Sequence, residues 1–251
     1  MSIESENYGE RLIVFIDILG FKEHIKLSVN DPTYFIKMRN VLNHISSYQE
    51  INNGDDFLAQ KDIGKEVTVF SDSVVISYPV ELQGSLYRLL MDVIYMQLEL
   101  FGEGILFRGG LTVGKLCHDD NIVYGPAMVE AYELESKVAV YPRVIVSEKA
   151  IVEGIKHAEN APEIELEFIN GLLKQDFDEQ YYIDFMSQWG EVDDSDLYFN
   201  SLAKIRVIIE EAIRNTHSKP NIQVKYQWLK RYYNSVLDKL DKKYTKNRYI
   251  K

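Results

Sequence analysis

The run Arg11-Leu12-Ile13-Val14-Phe15-Ile16-Asp17-Ile18 constrains this chain more than any other segment. It is rich in β-branched and aromatic residues and lacks helical spacing, so it reads as a buried central strand around which a sheet must be built. After Arg11 its one polar interruption is Asp17. A desolvated carboxylate is costly unless a cation or several donors answer it, so Asp17 asks for a partner. Gly20 ends the strand, and Phe21-Lys22-Glu23-His24 opens a helix whose first amides lie beside that carboxylate, a place suited to a phosphate.

Tyr34, Phe35, Met38, Val41, Leu42 and Ile45 recur at three and four residues, which predicts an amphipathic helix over 31–48 with Asp31-Pro32 as its start. A polar loop is expected at 52–56. Two β-rich runs, 66–70 and 74–78, flank Ser71-Asp72-Ser73, which leaves room only for a hairpin tip. A helix over 82–101 follows, then a second hairpin with strands at 105–113 and 122–124 turning around His118-Asp119-Asp120-Asn121. Gly125-Pro126 starts a short helix, and 143–146 is a further core strand. This order predicts an α+β sandwich, a largely antiparallel sheet with helices on one face, occupying residues 1–147. Residues 148–251 form an extension expected to pack on that core or on a partner. It should hold a helix at 148–157, strands at 164–168 and 181–185, and two amphipathic helices. Leu202, Ile205, Ile209 and Ile213 mark the first; Ile222, Tyr226, Leu229, Tyr233, Val236, Leu240 and Tyr244 mark the second.

Of 251 residues, 46% are hydrophobic and 27% charged, enough apolar material for a packed core and too much for a disordered chain. The net charge of −11 is uneven: residues 219–251 hold ten Lys or Arg against Asp238 and Asp241, a net +8, leaving −19 elsewhere. A body this acidic repels a phosphate backbone, so no nucleic-acid partner is expected. The single Cys117 excludes an internal disulfide and a thiolate-rich metal site, and points to a reducing, cytoplasmic setting. The apolar runs are too short to span a membrane, and the acidic start of the chain does not read as a signal peptide.

Asp72, at the hairpin tip, supplies a second carboxylate. If its hairpin neighbours the first strand, Asp17 and Asp72 face each other, an arrangement that holds two divalent cations against a triphosphate. Alone, Asp17 reads equally as a salt-bridged structural residue, and Asp72 reads first as a plain turn residue. Taken with their flanks the residues become specific. Phe15-Ile16-Asp17-Ile18-Leu19-Gly20-Phe21, Val69-Phe70-Ser71-Asp72-Ser73, Phe107-Arg108-Gly109-Gly110-Leu111-Thr112-Val113-Gly114 and Tyr124-Gly125-Pro126-Ala127-Met128-Val129-Glu130-Ala131-Tyr132-Glu133-Leu134-Glu135-Ser136 resemble, in order, the class III nucleotidyl cyclase catalytic domain. The resemblance covers about residues 11–147 and implies a ferredoxin-like, palm-type sandwich, here with a C-terminal helical extension. It further implies two Mn²⁺ or Mg²⁺ ions held by Asp17, Asp72 and the Ile18 carbonyl, with substrate contacts from Gly20, Phe21, Thr68, Ser73 and Arg108. A head-to-tail homodimer with composite sites is implied as well.

The chain also departs from that family. Where the usual cyclases carry an Asn and, four residues later, a transition-state Arg, this chain has Val129 and Glu133. The purine-selecting Lys and Asp align with Thr68 and near Ile122. In these features and in length the chain resembles the stand-alone pyrimidine cyclases of bacterial Pycsar antiphage systems, which implies conversion of UTP or CTP to cyclic UMP or cyclic CMP as an antiviral second messenger. Arg108 is then the first candidate for the missing cation, with Lys115, Lys137 and Arg143 next. A catalytically inactive cyclase-homology module that binds nucleotide or dimerises is the competing reading. A diguanylate cyclase is a third, disfavoured because Phe70-Ser71-Asp72-Ser73 stands where its Gly-Gly-Asp/Glu-Glu-Phe hairpin would be. His118-Asp119-Asp120 reads as a polar hairpin tip before it reads as a metal cluster. Tyr226, Trp228, Tyr232 and Tyr233, at helical spacing, read as a packing or dimer face.

Overall fold

A computed structural model describes residues 7–52, 63–119, 121–159, 161–188, 190, 195–245 and 248–251. Along the chain these form β1 (Gly9–Ile18), α1 (Phe21–Asn30), α2 (Pro32–Asn52), β2 (Glu66–Phe70), β3 (Ser73–Pro79), α3 (Ser85–Phe101), β4 (Phe107–Asp119), β5 (Ile122–Tyr124), α4 (Pro126–Glu133), β6 (Val144–Val146), α5 (Glu148–Lys156), α6 (Pro162–Leu172), β7 (Leu173–Gln175), β8 (Tyr181–Ile183), α7 (Ser195–Asn215), α8 (Pro220–Leu237) and α9 (Lys242–Thr245). The strands build one sheet in the order β2-β3-β1-β4-β6-β8-β7, with β5 pairing on β4. All described pairings are antiparallel except β4 with β6. The fold is α+β, and β1 is central, as its apolar run requires.

Because side chains alternate across a strand, the two faces of β1 have different fates. Leu12, Val14, Ile16 and Ile18 join Val74, Ile76, Tyr78, Leu111 and residues of α2, α3, α7 and α8 in the main core. Ile13 and Phe15 face the other way and meet Val75, Leu116, Ala127 and Ala131 in a smaller cluster. That second face carries α4, which corrects the expectation of helices on one face only. Helix α2 begins as its sequence suggests, with the Asp31 carboxylate accepting from the amides of Thr33 at 2.9 Å and Tyr34 at 3.3 Å. The loop expected at 52–56 lies outside the described residues except for Asn52, which ends α2; Asp120 of the second hairpin also lies outside them.

Past residue 147 the sheet continues, since β8 pairs with β6. One expectation there is overturned: 164–168 is not a strand but part of α6. The alternation Glu163-Ile164-Glu165-Leu166-Glu167-Phe168 mimics a strand, yet Ile164, Leu166 and Phe168 are exposed while Glu165, Ile169 and Leu172 are buried, spacings of four and three. Pro162 at the first turn and a run of helix-forming Glu and Leu outweigh the period-two pattern.

Helix α8 is fastened to the sheet through polar anchors. Arg143, wholly buried at the start of β6, ion-pairs with Asp176 and Asp178 and lies 5.2 Å from the Tyr141 ring and 5.9 Å from the Trp228 ring. Trp228 of α8 donates to the same Asp176 at 2.6 Å. Tyr232 donates to Asp184 at 2.8 Å and accepts from the Met186 amide at 2.9 Å, and Lys239 pairs with Asp184 at 2.9 Å. The aromatic stripe of α8 therefore packs within its own chain. No helix among the described residues is long and apolar enough to cross a membrane.

Candidate active site

Cross-strand register places one row of side chains on the α4 face: Phe70, Ser73, Asp17 and Arg108 lie opposite one another across β2, β3, β1 and β4. One pair further along the same face come Thr68, Val75, Phe15 and Gly110. Asp72 is brought to the end of β1 by the tip of the β2–β3 hairpin, whose Ser71 has a φ of 55°, a left-handed turn position that suits the strand twist. The Ile18 amide donates to the Asp72 carbonyl at 3.1 Å and ties the tip to the strand end. Ser73 Oγ donates to Asp17 Oδ1 at 3.1 Å and orients that carboxylate.

Burial raises the Asp17 carboxyl above the ordinary carboxylate range and the neighbouring Asp72 adds to the rise, while the Ser73 hydroxyl and Arg108 act the other way. Two carboxylates within reach of each other, one of them half-buried, with few donors between them, form a donor set suited to hard divalent cations. Such ions take one or two carboxylates and draw further oxygens from water or a phosphate. No cluster of three or more His, Cys, Asp or Glu side chains able to hold a metal exists among the described residues. Any ion here rests on this pair and on oxygens from backbone, water and substrate.

Gly20 has a φ of 80° and starts α1 without a side-chain cap, and Phe21 is half-buried against the main core. The first turn of α1 thus opens beside Asp17, as its sequence suggests. Arg108 is answered by a residue the sequence reading did not single out. Its Nε ion-pairs with Glu135, a buried carboxylate on a widened, π-helical turn, Leu134–Val138, that follows α4. π-turns recur at functional sites. This one crosses β4 at Gly110, where any Cβ would collide with the Leu134 side chain and with the Ala131 carbonyl. Burial pushes the Glu135 carboxyl up to about 7, with Arg108 pulling down, Asp17 pushing up and Lys225 pulling down.

The remaining candidates are exposed or already partnered. Lys115 is exposed, and Lys137 is exposed and pairs with Glu133 at 2.6 Å. Arg143 is committed to Asp176 and Asp178. Thr68 is buried and its hydroxyl meets His118 Nε2 at 2.8 Å, while His118 Nδ1 meets Ser77 Oγ at 2.8 Å. Ile122 is exposed. His118 is therefore held by two hydroxyls. Burial, with Arg11 nearby, pushes its pKa down to about 3. A neutral buried His is protonated in the unfolded chain below roughly pH 6.5, so its contribution is present above that pH and is lost toward pH 3. We expect wild-type unfolding free energy to fall by up to about 1.4 kcal/mol per pH unit more steeply than that of His118→Gln between pH 6 and 4.5. Denaturant titrations at three pH values measure this, and parallel slopes would refute it.

No protein-family model matches the chain, and no curated protein matches it. Solved structures do. The guanylyl cyclase domain of the RhoGC fusion protein from the aquatic fungus Blastocladiella emersonii is similar at 20% identity and a TM-score of 0.45, covering 71% of this chain and 96% of that one. The catalytic core of a rhodopsin-guanylyl cyclase with converted specificity, in complex with ATPalphaS, is similar at 16% identity and a TM-score of 0.43, covering 71% and 97%. A bacterial light-regulated adenylyl cyclase is similar at 18% identity and a TM-score of 0.41, covering 58% of this chain and 45% of that one.

Proposed function

We propose that the protein is a nucleotidyl cyclase that converts a pyrimidine ribonucleoside triphosphate, UTP or CTP, to the 3′,5′-cyclic monophosphate and pyrophosphate. The observation that carries this reading is the meeting of Asp17 and Asp72, delivered by separate elements to one edge of a face that also bears Arg108 and the opening turn of α1. In the reaction the ribose 3′-oxygen attacks the α-phosphorus, the bond to the β-phosphate oxygen breaks, and the hydroxyl proton passes to solvent or to the departing pyrophosphate. Divalent cations held by Asp17 and Asp72, with the Ile18 carbonyl as a further ligand, would lower the cost of the 3′-alkoxide and of the charge on the leaving group. Ser73 fixes the orientation of Asp17, and Arg108 offers a planar cation toward the triphosphate.

Pyrimidine selectivity rests on Thr68 and Ile122 at the places aligned with purine-reading residues, since a site lacking the matching donors leaves a purine edge unpaired. A homodimer is supported by the apolar surface around α4 and β5, where Val129, Tyr132, Ile122 and Tyr124 are each more than half exposed, at 60%, 52%, 63% and 52%. A cyclic pyrimidine product serving as an antiviral signal completes the proposal. Incubation with Mn²⁺ and each of the four ribonucleotides, with products identified by mass, tests it. UTP or CTP should yield cyclic product from a protein that sediments as a dimer. Equal rates with ATP or GTP would refute the selectivity, and nucleotide binding without product would favour the inactive cyclase-homology module, for which Val129 and the Glu133–Lys137 pair speak.

A further inference from the structure

Helix α8 belongs to the C-terminal extension, yet its Trp228 stacks on the Tyr141 ring at 5.6 Å, close in sequence after the π-helical turn that carries Glu135. Lys225 precedes the buried Trp228 and Leu229 by three and four residues, so it shares the helix face that is turned toward the body of the protein. It is half-buried, and among the described residues it has no carboxylate within ion-pair distance. Its ammonium feels both Arg108 and Glu135: burial and the like charge of Arg108 lower its pKa, and Glu135 raises it. The Arg108–Glu135 ion pair adjoins Asp17 in the strand register, and Lys225, on the inward face of α8, lies within electrostatic reach of both its members.

Gathering two partly buried cations near a single carboxylate is unfavourable unless an anion completes the group. We propose that Lys225 is a second substrate-facing cation, lying with Arg108 over the triphosphate of the nucleotide, and that Glu135 positions Arg108. This deepens the cyclase reading and rests on it. It also assigns the extension a task at the site, because α4, where the family's cation would stand, carries Val129 and Glu133, and Glu133 is paired with Lys137.

Inorganic tripolyphosphate is the probe, since its binding reads the phosphate contacts without base selectivity or turnover. Calorimetry on full-length wild type in Mn²⁺ should give saturable binding. Lys225→Met should weaken it on the order of tenfold or more, the loss of one charge-assisted contact, and Lys225→Arg should recover most of it. Lys242→Met, an exposed change of equal charge, should leave it unaltered. If Lys225 merely tethers α8, Lys225→Met lowers the melting temperature and leaves tripolyphosphate affinity at the wild-type value; that result overturns the proposal. A wild type that binds tripolyphosphate but cyclises no ribonucleotide overturns the cyclase reading, while the Lys225 comparison still decides the phosphate contact. A wild type that does neither overturns both.

Discussion

On the proposed reading, replacing either Asp17 or Asp72 by Asn should reduce divalent-dependent cyclisation by roughly a hundredfold or more, because each carboxylate would contribute a ligand that no neighbouring side chain supplies. The same variants should behave in the opposite way without metal. Burial and Asp72 hold the Asp17 carboxyl above its unfolded value, so the folded protein favours the protonated form, and this advantage is lost as pH rises through the folded pKa. Burial and the neighbouring carboxylate make a charge on Asp17 a cost, and either substitution takes one carboxylate out of that arrangement. Melting temperatures in EDTA should therefore be equal to or above wild type for both variants. Mn²⁺ should raise the wild-type melting temperature by mass action and leave the variants unmoved. An Asp17→Asn protein that is folded, active and stabilised by Mn²⁺ would remove the metal assignment. Loss of stability in EDTA would instead make Asp17 a structural carboxylate.

The second large effect concerns stability. Arg143→Met should cost about 3 kcal/mol in denaturant unfolding, since it leaves Asp176 and Asp178 beside aromatic rings without their cation. The guanidinium now holds the Asp178 carboxyl below its ordinary range, and that hold would disappear. Arg143→Lys should recover only part, because an ammonium cannot bond both carboxylates with a planar fork. The triple variant Arg143→Met, Asp176→Asn, Asp178→Asn should be more stable than Arg143→Met alone, which identifies the unpaired charges as the cause. A cost below about 1 kcal/mol for Arg143→Met would mean that aromatic packing alone fastens α8. Because α8 carries Lys225, a loosened anchor should also weaken tripolyphosphate binding.

The sequence alone determined β1, the β2–β3 hairpin with Asp72 at its tip, and the amphipathic helices α2, α3 and α8. Each of these is written in short-range periodicity or turn chemistry, and burial on one face imposes that periodicity wherever the element ends up. Local pattern misled at 164–168, where alternating Glu and apolar residues read as a strand but a Pro at the first turn and three buried positions at helical spacing made α6. The meeting of Asp17 with Asp72 was legible as a possibility from their motifs; strand order and register made it a contact. Only tertiary structure decided that Arg108 would be answered by Glu135 and overlooked by Lys225. It likewise decided that Thr68 would spend its hydroxyl on His118 and that Arg143 would be sealed between Asp176, Asp178 and two aromatic rings. The physical reason is one of range. Periodicity reports which face of an element is dry, whereas the partner of a buried charge is set by how elements far apart in the chain pack, and no local pattern encodes that.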